Sequence, residues 1–235
     1  MTRRAERRAA GAARFALPLL SFCICTLFSV QGSSQPRKQS ETDSLVRLIE
    51  MRYGRMMGLA ADFEQVYSGA GVRARRERGH LFLGRPRRMR WEYDPKPGKL
   101  FIVNEREVWL YVPADREATR ADAARIADAR FPFLFLLGTS NLRRFFRSIT
   151  LIEQSSRGSE PSDIRTLRLV PRGLSSGLRE IFLEVFADGR LSRIRIIDDA
   201  GASSEITLSN VRENWVAPAD AFEFRPPPGV AVRRL

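Results

Sequence analysis

Residues 79–111 read GHLFLGRPRRMRWEYDPKPGKLFIVNEREVWLY, and this stretch decides the fold. Leu81 and Leu83 alternate with His80 and Phe82. After Arg85-Pro86, Met89, Trp91 and Tyr93 share one parity, while Arg88, Arg90 and Glu92 share the other. Alternation of this kind marks strands with one apolar face. Asp94-Pro95-Lys96-Pro97-Gly98 is a turn cluster. Leu100-Phe101-Ile102-Val103 and Val108-Trp109-Leu110-Tyr111 follow, joined by Asn104-Glu105-Arg106-Glu107. The stretch therefore predicts a meander of four strands carrying bulky aromatics. Such a surface serves either as a sandwich core or as the wall of an apolar cavity.

Working outward, 61–67 alternates as an earlier strand, and 72–79 is an arginine-rich strand leading into the meander. Before them, Leu45, Leu48, Ile49, Tyr53, Met56 and Met57 fall at helical spacing, with Glu41 and Asp43 at the start and Gly58 as a stop. An amphipathic helix over 41–57 needs a sheet to lie on. Residues 119–129 read equally as strand or helix. The run Phe131-Pro132-Phe133-Leu134-Phe135-Leu136-Leu137 is the most apolar beyond residue 32, and a short helix or two is expected over 132–147. Strands return at 148–154, 164–170, 178–186, 191–198 and 203–211, with an Asp188-Gly189 hairpin turn. Phe222 to Arg225 is expected as a last strand, with Pro226-Pro227-Pro228-Gly229 ending regular pairing. About ten strands in one antiparallel sheet must curl or close.

Residues 1–32 read as a cleaved signal peptide, with arginines at 3, 4, 7, 8 and 14 before an apolar run over 15–30. Retention of that run as an anchor is the alternative. Residues 33–40 read as a flexible leader, and 41–235 as one domain. The 235-residue chain carries a formal charge of +13, which falls to +9 without the five arginines and Glu6 of residues 1–32. Both cysteines, Cys23 and Cys25, lie in that apolar run, so the rest of the chain has no thiol. The arginines are spread along the chain rather than concentrated in one block, and they attract anionic surfaces in general.

His80 is the only histidine, so no zinc site of usual composition can be built. Gly173-Leu174-Ser175-Ser176-Gly177 matches G-x-S-x-G, but a strand is expected after it where a nucleophile elbow requires a helix. No phosphate loop or dinucleotide fingerprint is present. The expectation is a non-enzyme without metal or cofactor. Nucleic acid is a poor fit, because alternation points Met89, Trp91 and Tyr93 away from Arg88 and Arg90.

Four blocks resemble the LolA family of periplasmic lipoprotein carriers. They are Asp62-Phe63-Glu64-Gln65; the G-x-L…R-P…W-x-Y…P run from Gly79 to Pro95; Val108-Trp109-Leu110-Tyr111; and the F-x-F-x-P-P-x-G-V ending from Phe222 to Val230. Their order and spacing agree across most of residues 41–232. One departure is Asn104-Glu105-Arg106, where an Asp-Gly turn is usual before V-W-x-Y.

The resemblance implies a mainly β chain with α, a single antiparallel sheet curled into an unclosed half barrel, and helices covering the concave face as a lid. It implies a cavity wall of Phe63, Leu81, Leu83, Met89, Trp91, Tyr93, Trp109 and Tyr111. It implies a lid containing Phe133, Leu134, Leu136 and Leu137, with Arg85 as a latch to lid backbone. It further implies acylated lipoproteins as cargo, an inner-membrane releasing transporter and an outer-membrane acceptor as partners, a monomeric state, and transient contact with membrane surfaces. The alternatives are an outer-membrane receptor, a carrier of another amphiphile, or a membrane-associated sensor on the same fold.

Overall fold

The computed structural model describes residues 35–69, 71–125, 141–152, 163–172, 177–218 and 220–235. The signal segment 1–32, residues 33–34 of the leader and the expected lid residues Phe133, Leu134, Leu136 and Leu137 lie outside them.

The described chain is one helix on one sheet. Helix α1 spans Gln35–Arg55. The strands are β1 Gly58–Gly69, β2 Val72–Gly84, β3 Arg88–Tyr93, β4 Leu100–Val103, β5 Glu107–Val112, β6 Glu117–Asp122, β7 Phe146–Ile152, β8 Ile164–Pro171, β9 Leu178–Phe186, β10 Leu191–Asp198, β11 Ser203–Glu213 and β12 Ala231–Arg234. Their order in space is β12-β6-β5-β4-β3-β2-β1-β11-β10-β9-β8-β7. Strand β1 therefore sits in the middle, flanked by β2 and β11, and joins two meanders. The sheet has two end strands, β12 and β7, so it is unclosed. Every pairing is antiparallel except β12 with β6.

Side-chain parity carries rows of inward-facing residues from β3 to β7. Gln65, Ile206, Ile194, Leu183, Leu167 and Leu151 form one continuous row from β1 to β7. Tyr93, Gly79, Phe63 and Leu208 form another from β3 to β11. These rows line the concave face, and α1 lies on it. Leu45, Val46, Ile49, Tyr53 and Met56 of the helix belong to the same buried cluster as Leu59, Leu81, Leu167, Leu169, Ile181 and Leu183 of the strands.

Several expectations need correction. Helix α1 starts at Gln35, inside the expected leader, so Glu41 and Asp43 lie beyond its first turn. Thr42 and Ser44 donate their hydroxyls to the carbonyls of Lys38 and Ser40, one turn back. No helix covers the described part of 132–147: Leu142–Arg144 form one 3-10 turn, and Phe146 already begins β7. Pairing with β8 outweighs the helical spacing there. Within 119–129, residues to Asp122 are strand β6, followed by a 3-10 turn over Ala123–Arg125.

Residues 222–225 are not a strand, and pairing resumes after the prolines rather than ending there. The tail crosses the convex face before reaching the edge, so β12 approaches β6 in the parallel sense. Phe222 is buried where its ring lies against Gly84, and Arg88 stacks over it at 5.1 Å. Asn104 Nδ2 donates to the Phe222 carbonyl at 3.3 Å.

Two of the glycines that hold close approaches bear on the wall and its cover. A Cβ on Gly79 would stand 1.9 Å from the carbonyl oxygen of Glu92 on β3. Gly189, at φ +81°, turns the β9–β10 hairpin, and a Cβ there would meet Leu48 of α1 at 2.9 Å. That hairpin is the shelf on which the helix rests.

Candidate functional site

The concave face is built from period-two strands and covered by a period-3.6 helix. Phe63, Leu81, Leu83, Met89 and Trp91 are all buried in the concave cluster, with Tyr93 packed against it. Phe63 meets Trp91 edge-on at 4.5 Å and Tyr93 at 5.2 Å. The expected wall residues of β1, β2 and β3 are thus brought together.

Trp109 and Tyr111 are not among them. Val103 pairs with Val108, so Trp109 stands opposite Ile102 and Tyr111 opposite Leu100, on the convex side. There they form a second cluster with Ala118, Phe224 and Val230. Phe224 lies 5.3 Å from both rings. The four-residue link 104–107 sets this register, and a period of two then fixes the face. The aromatic pair anchors the tail rather than lining the wall.

The far half of the wall was missed by the sequence reading. Leu167, Ile181, Leu183, Ile194 and Ile206 are fully or almost fully buried on the same face. Alternation in 164–170, 178–186 and 191–198 carries this signal, but no recognisable motif sits on it.

Near the β1–β2 hairpin the wall turns polar. Gln65 is only 7% exposed. Its amide donates to Ser204 Oγ at 2.7 Å and accepts from the Tyr93 hydroxyl at 3.3 Å. Burial pushes both Tyr93 and Tyr67 above the usual phenol range. On the convex side, the single histidine, His80, donates Nδ1–H to Asp62 at 2.7 Å, and Asn210 donates to the other carboxylate oxygen at 2.6 Å. Those two bonds, Asn210 first, hold the Asp62 carboxyl below its ordinary range. They cross-brace the three central strands. Among the described residues no group of three metal-ligating side chains converges.

Arg85 is placed at the end of α1. A helix leaves its last carbonyls without intrahelical partners. Arg85 Nε donates to the Met56 carbonyl at 2.7 Å, and Nη2 donates to Tyr53 at 3.2 Å and to Gly54. A planar guanidinium suits this, since it presents several donors and stays charged. Its charge also complements the negative end of the helix dipole. Arg88 in turn donates to the Arg85 carbonyl. The segment that Arg85 holds, among the described residues, is therefore α1.

The helix has other ties. Arg52 forms a paired contact with Glu213, at 2.7 and 3.0 Å. The Leu191 amide donates to the Tyr53 hydroxyl at 2.8 Å in a buried setting. Burial pushes the Tyr53 phenol up to about 12. Tyr53→Phe should cost about 1–3 kcal/mol, because it orphans the buried Leu191 amide. A urea midpoint comparison checks this. A phenol raised in the folded state stabilises fully below pH 10, and its contribution disappears between pH 10 and about 12. The parent should therefore lose part of its advantage over Tyr53→Phe across that window.

A family model described as "Outer membrane lipoprotein carrier protein LolA" matches residues 55–225. Curated relatives named outer-membrane lipoprotein carrier protein agree with it. The Chromobacterium violaceum protein is 28% identical over 175 residues, spanning 74% of this chain and 80% of that protein. The Methylococcus capsulatus protein is 30% identical over the same shares of the two chains. The Azotobacter vinelandii protein is 27% identical over 215 residues, spanning 90% of this chain and 97% of its own. The unclosed sheet, its covering helix and the family match together place this chain in the LolA family of outer-membrane lipoprotein carrier proteins.

Proposed function

We propose that this protein is a periplasmic carrier that holds the acyl chains of lipoproteins against its concave face and ferries them from the inner to the outer membrane. An acyl chain leaving a membrane loses about 0.8 kcal/mol of burial per methylene, so it needs an apolar host in transit. One observation carries this reading. The apolar wall is sheathed by α1, and one arginine ties the helix end through backbone carbonyls. Leu45, Val46, Ile49, Tyr53 and Met56 of α1 are buried in the same cluster as the wall, so a guest that takes their place enters by displacing α1.

Displacement exchanges helix–wall contacts for acyl–wall contacts. The two are chemically alike, so the net free energy of exchange is small. Binding and release then amount to a shift between covered and open populations, with no covalent step and no catalysis. An inner-membrane releasing transporter and an outer-membrane acceptor would serve as donor and recipient, each gaining by stabilising the open form.

Mass spectrometry of organic extracts from purified protein tests the reading. Diacyl or triacyl lipopeptide should co-purify, and a fluorescent acyl probe should compete with it. Extracts free of any acylated molecule, with no probe uptake, would reject the carrier. A free lipid in place of lipopeptide would favour the carrier of another amphiphile.

A further inference from the structure

The rows of the concave face change character at the end of the strands next to the β1–β2 hairpin. Tyr67 stands opposite Arg75 of β2 on one side and Ser204 of β11 on the other, and Ser204 stands opposite Ile196 of β10. Beyond Ile196 the same row runs through Ile181, Leu169 and Ile149. One row is therefore polar over β2, β1 and β11 and apolar from β10 to β7. Two residues back along β1, Gln65 stands opposite Glu77, and that row turns apolar at Ile206. Further back along β1, Phe63, Ala61 and Leu59 all belong to the buried apolar cluster.

Gln65 is the residue of this corner that fold stability does not account for. The buried polar or charged residues among those described are Thr42 and Gln65. Thr42 serves the fold, bonding to the Lys38 carbonyl and the Leu151 amide. Gln65 is set into the wall itself, where an amide is costlier to bury than an apolar side chain. Its Nε2 has two hydrogens, and Ser204 Oγ takes one at 2.7 Å. Its neighbours are rich in donors. The Tyr93 hydroxyl donates to Gln65 Oε1 at 3.3 Å, and the Tyr67 and Tyr93 hydroxyls bond to each other. Lys99 lies 4.2 Å from the centre of the Tyr93 ring, and Arg75 lies 4.9 Å from that of Tyr67. The Glu77 carboxylate beside them is taken up by Lys99, at 2.7 Å from both oxygens. Helix α1 is tied at the opposite end of these strands, through Leu191 of β10, Glu213 of β11 and Arg85 after β2.

We propose that this corner is the subsite for the head of the cargo: Gln65, Tyr67 and Arg75 donate to the ester and amide carbonyls where the acyl chains join, and the chains run from there along Phe63, Ala61 and Leu59. The inference rests on the carrier reading and adds to it a direction and a chemical preference. A partly desolvated corner rich in donors selects ligands that bring carbonyl oxygens. A lipid whose chains are joined by ethers lacks the ester carbonyls and leaves those donors unmatched, which penalises it.

Competition against a fluorescent acyl probe tests it, with a synthetic dipalmitoyl lipopeptide, its dialkyl ether analogue and phosphatidylglycerol as competitors. The parent should bind the ester form about tenfold tighter than the ether form. Gln65→Met, close in shape, and Tyr67→Phe should each weaken ester binding about fivefold while ether binding changes by less than about twofold. Ile196→Ala, on the apolar part of the same row, should weaken both forms alike. Thermal melting of the same samples reports folding, and Tyr67→Phe, at a partly exposed ring, carries the test if Gln65→Met melts low.

Equal binding of ester and ether forms by the parent would overturn the head subsite and leave the carrier standing. An ester preference undiminished in both variants would place the head elsewhere and overturn it too. Phosphatidylglycerol competing better than the lipopeptide would assign the corner to phosphate, again against the proposal. Failure of the parent to take up the probe or any competitor would remove the carrier reading, and the head subsite with it.

Discussion

Arg85→Leu should release a bound acyl probe about thirtyfold faster than the parent, because hydrogen bonds from a charged donor to the end of α1 are removed and about 2 kcal/mol of closing energy goes with them. Tyr53 and Met56 are buried, but Gly54 and Arg85 are only partly so, and water that reaches this end replaces part of the lost bonding. The buried contacts of Leu45, Val46 and Ile49 with the strands are untouched. The melting temperature should therefore fall by only about 5 °C. Probe retention and thermal melting on one preparation check the pair of numbers. A variant that melts far lower, with retention falling in step, would make Arg85 a residue of the fold rather than of the cover.

Gly79→Val should be the most damaging single change in the wall. Its Cβ would fall 1.9 Å from the Glu92 carbonyl, a backbone atom that cannot turn aside. Strand β3 would have to leave β2, taking Trp91 and Tyr93 away from Phe63. A loss of about 3 kcal/mol or more is expected. Gly84→Ala provides the contrast. There a Cβ meets the Phe222 ring at 2.8 Å, and a side chain can shift, so about 1 kcal/mol is expected. Urea midpoints measure both. Equal losses would show that the close approach of β2 to β3 has no special cost.

Most of this architecture was legible in the residues. Met89, Trp91 and Tyr93 share a parity, and parity is what a sheet converts into a face. The same rule misled at Trp109 and Tyr111, because face depends on register as well as alternation. The link 104–107 sets that register through the Asn104 amide, which donates to the Glu107 carbonyl, and the Asn104 side chain, which accepts from the Arg106 and Glu107 amides, and the sequence does not display these bonds. The tail shows a related limit. Phe222 and Phe224 alternate as a strand would, yet both anchor a crossing segment to the convex face. Arg85 was identified by its place in a motif. Its partner could not be, since the carbonyls of residues 53–56 become available only once α1 has an end.

An open sheet also raises the matter of self-association. Unpaired end strands are templates on which copies of a chain can zip together. At one border β12 is short, and its four residues include Arg233 and Arg234, both exposed. Two such borders brought together would set like charges against each other. The triple proline just upstream has no amide hydrogens to offer an incoming strand. On the proposed carrier reading, a sheet left open for a guest is thereby guarded against pairing with a second copy along that margin.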